Sequence, residues 1–248
     1  MGADMFETEL DRRVFRIKIN RGGHRNAIPV SEWLNLEKAV RLANQSDAKI
    51  VVLQSSDPAD FSAGSDLHDL HGLRPDEQLR KKFRGGLESV CSRLRNVNMP
   101  TICLIDGGCF GTAVALATSC DLRIASNRSM FAITPARFGI SYPKGPLDDL
   151  VSLVGRGQAA RMVYASDFID AGEAHRIGLV EVLADEEGAE DFIQRMAANS
   201  QTSLSCLKAS LLGRFGSERR FDAAFSHNDF GRGISAFRSR SSPDFDCA

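Results

Sequence analysis

The segment Met99 to Asp121, MPTICLIDGGCFGTAVALATSCD, leaves a chain of this kind few ways to fold. Thr101 to Asp106 is apolar almost throughout, as suits a strand buried on both faces. Gly107, Gly108 and Gly111 then give a turn in which backbone can approach a ligand closely. From Thr112 the small apolar run TAVALATSC has no breaker until Asp121 and reads as a buried helix. The first amides of a helix lack intrahelical partners and point outward at the positive end of its dipole. A strand, a glycine turn and such a terminus together favour an anion or a developing oxyanion. The same residues also satisfy a plain strand-to-helix turn.

Around this segment the chain reads as alternating strands and helices. Val14 to Asn20 alternates like a strand, and Arg21 to Ala27 (RGGHRNA) is a polar loop. An amphipathic helix follows from about Glu32 to Ala43, with Trp33, Leu34, Leu36, Val40 and Leu42 as its core candidates. Lys49 to Gln54 is a second strand, completing a parallel β/α unit. Ser55 to Asp69 reads as a loop whose Ser62-Ala63-Gly64-Ser65 is small enough to wrap a ligand. Pro75 to Asn96 reads as a long polar helix. Its Gly85-Gly86 pair, at roughly 1 kcal/mol per glycine, predicts a mobile or broken helix there.

Beyond the central segment, strands are expected at Leu122 to Ala125 and near Met130 to Ile133, then a Pro- and Gly-rich loop from Thr134 to Pro146. Leu147 to Val154, Gln158 to Ala165 and Ala171 to Ile177 read as short helices, the last capped by Asp170. Leu179 to Leu183 reads as a last strand. From Asp185 the chain is helical in pieces, broken near Gly216 and Gly231, and ends in a polar tail.

Composition narrows the function classes. With 31 basic and 32 acidic residues, the charge balance gives no reason to expect nucleic acid or an anionic membrane as partner. No apolar run approaches the roughly 20 residues of a membrane span. The acidic start MGADMFETEL lacks a signal-peptide core. Six cysteines without CxxC spacing suit reduced, core-filling thiols in a cytoplasmic protein. His68 and His71, with Asp66 and Asp69, offer metal-ligand spacing, but no further ligand set is evident and a solvated loop is the preferred reading.

Three separated stretches now resemble one family: Phe61-Ser-Ala-Gly-Ser-Asp-Leu67, Pro100 to Asp121 continuing as LRIAS, and Gly155 to Val182 with DFIDAGEAHRIGLVEV. Their order and spacing are similar to those of the crotonase (enoyl-CoA hydratase/isomerase) superfamily. The resemblance implies an α/β fold, a spiral core of ββα repeats over residues 1–188. It also implies a helical C-terminal region over residues 189–248 for oligomerisation and pocket closure, in a homotrimer or dimer of trimers. It implies an acyl-CoA thioester as substrate, coenzyme A entering only as part of it, with no separate cofactor and no metal.

The same resemblance implies that the backbone amides of Ser65 and Thr112 bind the thioester oxygen and stabilise an enolate. A threonine at 112 narrows the pocket. Arg25 matches a basic position near the CoA phosphates, and the backbone around Ala63, Asp66 and Leu67 matches the adenine pocket. At the positions where hydratases carry two glutamates the chain has Ala115 and Pro135. Where isomerase-type members place one carboxylate it has Lys144, in YPKG, and no acid occurs between Asp121 and Asp148. The segment TPARFGISY looks most like decarboxylase-type members. Tyr142 is then expected to hydrogen-bond a leaving carboxylate, and Lys144 to attract it or deliver a proton if burial lowers its pKa. Decarboxylation is the favoured expectation. The alternatives are a hydratase or isomerase with relocated acid and base, at Asp66, Asp69 or Asp148, and a non-catalytic acyl-CoA-binding protein.

Overall fold

A computed structural model describes residues 4–245; Cys247 and the end of the expected polar tail lie outside the described residues. The chain opens with a hairpin, β1 (Phe6–Asp11) and β2 (Val14–Ile19), antiparallel from Phe6↔Ile19 to Asp11↔Val14. Helix α1 (Trp33–Gln45) leads into β3 (Ile50–Ser55), which lies parallel to β2. After β4 (Asp60–Ser62) come α2 (Leu67–Gly72) and α3 (Glu77–Asn96). The central segment forms β5 (Thr101–Ile105), β6 (Gly108–Phe110) and α4 (Thr112–Thr118). Strands β7 (Leu122–Ala125) and β8 (Met130–Ala132) precede a 3₁₀ turn at Pro135–Phe138 and α5 (Lys144–Tyr164). Then follow β9 (Ile169–Asp170), α6 (Ala171–Arg176) and β10 (Val182–Leu183). Four helices close the described chain: α7 (Glu186–Ala197), α8 (Gln201–Leu211), α9 (Ser217–Ser226) and α10 (Asn228–Ser239).

Two sheets result, one in the order β1-β2-β3-β5-β7-β10 and a smaller one in the order β4-β6-β8-β9. Successive strand pairs β3/β4, β5/β6 and β7/β8 each send one strand to either sheet, so the chain winds as the expected ββα spiral. The central strands of the large sheet are apolar on both sides because both faces are covered. Leu53, Cys103 and Ala125 join the core with α1, α3 and α4. Ile50, Val52, Ile102 and Ile124 face Ala189, Ile193 and Ala197 of α7.

The structure corrects several sequence expectations. Leu34 and Leu42 of α1 are 46% and 52% exposed, and Trp33, Leu36, Ala39, Val40 and Ala43 make the buried stripe instead. The residues from 55 to 69, expected as loop, hold β4 and the start of α2. Helix α3 runs unbroken through Gly85-Gly86. A Cβ on Gly86 would stand 3.1 Å from Trp33 Cβ, so that glycine lets α1 and α3 approach. The two helices expected around 147–165 form one element that starts at Lys144 and kinks at Gly155, where φ is 74°. The last expected strand shortens to Val182–Leu183, because the amides of Leu179 and Val180 both donate to Ala174 O. Gly216 does precede a helix, but Gly231 lies inside α10.

Candidate active site

Two turns meet where β4 and β6, neighbours in the smaller sheet, end. Between β4 and α2, Gly64 adopts φ +86°, and a Cβ there would stand 2.4 Å from Phe110 O and 2.9 Å from Thr112 N. Only glycine lets the two backbones come this near. Ile28 N donates to Gly64 O at 2.7 Å and Asp66 N to Ile28 O at 2.9 Å, so Ser65 is pinned from both sides. In the partner turn Gly111, at φ 55°, caps α4 and donates its N–H to Ala132 O at 2.8 Å. Thr112 is therefore the first helical residue. Ser65 Oγ and Thr112 Oγ1 share a hydrogen bond at 2.9 Å, which joins the turns directly. Among the described residues, neither the Ser65 nor the Thr112 N–H finds an acceptor. Buried donors without partners are rare and costly, so a pair of them on converging turns is a feature to be explained.

The frame behind these turns is tightly bonded. Arg25 donates through Nε to Asp60 Oδ2 at 2.7 Å and through Nη2 to Asp60 Oδ1 at 3.0 Å, and it lies 5.5 Å from the centre of the Phe110 ring. Asp60 also accepts from Gly108 N at 3.1 Å. The Arg25 hydrogen bond leads in holding the Asp60 carboxyl below its ordinary value, against the opposing effect of burial. The Arg25 side chain remains 61% exposed. Ala63 N donates to Arg25 O at 2.8 Å, and Asn26 Nδ2 donates to Ser55 Oγ and to Asp60 and Phe61 carbonyls. Asn26 is buried with φ 53°, a fixing role that no sequence pattern discloses.

The carboxylates considered as relocated acids are occupied elsewhere. Asp66 caps α2 by accepting from His68 N, and it pairs with Arg21 Nη1 at 2.7 Å, which leads in holding its carboxyl low. Asp69 accepts from Val30 N at 2.9 Å. Asp148 pairs with Lys144 Nζ, 2.8 Å from Oδ1. Lys144 is thus paired and its side chain 85% exposed, so the burial invoked to lower its pKa does not occur. Tyr142 is buried, and its hydroxyl donates to Gly111 O at 2.9 Å. Burial pushes the phenol well above 10, so it stays protonated and braces the cap of α4.

A cavity of 1210 Å³ opens beside this brace, between α2, α3 and residues 138–144. Tyr142 and Leu67 belong to its wall, whereas Ser65 and Thr112 do not. Leu70, Phe83, Phe138 and Ile140 make much of the wall apolar. Arg74, Arg80, Arg84 and Glu88 add charge to it, and Glu88 is the carboxylate of the lining. No motif in the sequence singles out any of the four. Their only signal is the helical spacing of 80, 84 and 88, which puts those three on one face of α3. Cys91, one turn beyond Glu88, places its Sγ 3.7 Å from Ala115 O, and burial pushes that thiol up to about 12. Among the described residues no cluster of three His, Cys, Asp or Glu could hold a metal ion.

The family model for enoyl-CoA hydratase/isomerase matches residues 9–247. The chain belongs to that family. The enoyl-CoA hydratase/isomerase family also supplies its relatives. It is 26% identical over 247 residues to the 2,3-dehydroadipyl-CoA hydratase of Escherichia coli K12, covering 94% of this chain and 95% of that one. It is 26% identical over 225 residues to a peroxisomal Delta(3,5)-Delta(2,4)-dienoyl-CoA isomerase of Arabidopsis thaliana, covering 84% and 81%. Among solved structures, an enoyl-CoA hydratase/isomerase family protein from Hyphomonas neptunium superposes with a TM-score of 0.91 at 27% identity, over 97% of both chains. No helix among the described residues is long and apolar enough to cross a membrane.

Proposed function

We propose that this protein binds an acyl-CoA thioester, holds its carbonyl oxygen on the N–H groups of Ser65 and Thr112, and stabilises the enolate formed there. The observation that carries this reading is the approach of the Gly64 and Gly111 turns, with the two unpaired amides on them. Fixed donors aimed at a developing oxyanion are usually the largest single contribution to such catalysis. The relatives support the ligand class, being named for CoA thioesters. Arg25 and the backbone at Ala63, Asp66 and Leu67 are assigned to the CoA moiety. Exposed apolar side chains on the C-terminal helices, such as Leu211, Phe221 and Phe237, fit a homotrimer or dimer of trimers. The buried free thiols of Cys91, Cys103, Cys109 and Cys120 suit a cytoplasmic setting.

The proton work is assigned to Glu88. Ala115 and Pro135 carry no proton, Asp66, Asp69 and Asp148 are engaged, and among the described residues Glu88 alone brings a carboxylate to the cavity wall. Hydration or double-bond migration by a relocated acid/base is therefore the leading chemistry. Decarboxylation is the second reading: Tyr142 belongs to the cavity wall, and its one O–H must leave Gly111 O to reach a departing carboxylate. The reaction needs no base, since loss of CO₂ yields the enolate directly.

Turnover of 2-enoyl-, 3-enoyl- and methylmalonyl-CoA by the wild type, Glu88→Gln and Tyr142→Phe separates these. Loss of enoyl-CoA turnover by roughly a hundredfold or more in Glu88→Gln is the expected result. CO₂ release that survives Glu88→Gln and falls in Tyr142→Phe establishes the second reading instead. Tight binding without turnover reduces the protein to a thioester carrier, and no binding at all removes the proposal.

A further inference from the structure

We infer that Arg74 and Arg84 read a second negative charge at the far end of the acyl chain, so that the preferred substrate is the CoA thioester of a dicarboxylic acid. This rests on the acyl-CoA reading of the same site. The cavity has the two parts such a chain needs. Leu67, Leu70, Phe83, Phe138 and Ile140 offer apolar wall for methylenes. Arg74 and Arg84 offer guanidinium groups, which match a carboxylate in a forked, two-bond geometry.

The other cations of the wall are already in use. Arg80 donates through Nη1 to Leu73 O at 2.9 Å and Arg74 O at 2.7 Å, tying down the α2–α3 connection. Lys144 holds Asp148. Among the described residues, Arg74 and Arg84 side chains have no acidic or carbonyl partner, unlike Arg21, Arg25, Arg95 and Arg123. A lining with three arginines and one glutamate also has a surplus of positive charge. A hydrocarbon-only chain would leave that surplus unanswered.

Position along α3 separates the two charges of opposite sign. Cys91 touches α4 at Ala115. At 1.5 Å rise per residue, Glu88 lies about 4.5 Å from that point along the helix and Arg84 about 10 Å. The glutamate therefore belongs to the inner end of the cavity, near the turn that carries Thr112, and the arginine to the outer end. A chain entering from the thioester passes Glu88 first and meets the Arg84 guanidinium about a turn later.

Calorimetric titration of the full chain with hexanoyl-CoA, adipyl-CoA and free CoA tests this, because the two thioesters match in length and differ in the terminal carboxylate. The wild type is expected to bind adipyl-CoA at least tenfold more tightly than hexanoyl-CoA. Arg84→Gln and Arg74→Gln each cut that preference severalfold, and the double variant erases it, while hexanoyl-CoA and free CoA bind as before. Arg84→Lys, which keeps the charge and loses the fork, falls between. Equal binding of both thioesters by the wild type overturns the inference. So does equal weakening of all three ligands in the variants, which would put the guanidinium groups on the CoA phosphates. Failure of every ligand to bind the wild type removes the acyl-CoA reading itself.

Discussion

The turns around residues 64 and 111 and the cavity wall on α2 and α3 lie side by side, yet they are built by different means. The turns are made of backbone: positive φ at glycine, carbonyls within reach of a missing Cβ, and side chains such as Asn26 and Asp60 spent on main-chain groups. The wall is made of side chains on an exposed helical face, where Arg84 and Glu88 have no partners among the described residues. Backbone construction fixes two N–H groups and tolerates almost no substitution. Side-chain construction leaves volume and charge open to change at little cost in stability. The contrast separates what the protein can do to a thioester from which thioester it accepts.

The sharpest way to break this contrast is Gly64→Ala. The new Cβ collides with Phe110 O and Thr112 N, and the residue keeps a left-handed backbone. We expect turnover to fall a hundredfold or more, as when an oxyanion donor is lost, and stability to fall by about 1–3 kcal/mol. Steady-state kinetics and thermal melts report both. A fully active Gly64→Ala protein would show that the turn does not hold the reacting oxygen.

A smaller effect is expected at Asp60, which ties Arg25 to β6. Its carboxyl lies below the ordinary 3.8 because Arg25 hydrogen-bonds the charged form. A carboxyl that is lowered in the folded state stabilises it fully above 3.8, and that contribution is lost as pH falls through the folded value. Asp60→Asn should therefore lower the melting temperature at neutral pH and flatten its decline on acidification. An unchanged acid limb would mean that the frame does not depend on this pair.

The smallest effect belongs to the helix behind the wall, α3. Gly85 lies inside α3, and a Cβ added there would meet nothing within 4 Å, so Gly85→Ala should stabilise by about 0.5–1 kcal/mol without changing turnover. Chemical denaturation and the turnover assay check the two halves of that statement. Its neighbour Gly86, against Trp33, should not tolerate the same change.

The same contrast explains what is legible in the sequence. Strands β3 and β5 are legible because burial on both faces leaves apolar runs, and β2 because it alternates. The glycines of the turns are legible because no other residue serves there. Strand β1 is not, since its hairpin turns on Arg12 and Arg13, both at positive φ, where Asn-Gly or a similar pair is the usual sign. Strands β4 and β6 are three residues each, and partners distant in sequence hold them in place. In α3 the spacing of 80, 84 and 88 is visible. Nothing in the sequence says that this face looks across a cavity at residues 138–144. Lys144 is read from position in a motif, and position does not reveal that Asp148 lies one turn along to neutralise it.

Helix α3 is anchored by its second half, where Gly86, Leu87, Val90, Cys91 and Leu94 are buried, while the turns bearing Arg80 and Arg84 project beyond that anchorage. Even on those outer turns Phe83 packs against Trp33 and Arg80 holds the α2–α3 connection, so Arg84 is the position there that can change without disturbing the support. Descendants of such a chain can drift from one acyl partner to another through position 84 while the machinery behind Thr112 stays as it was.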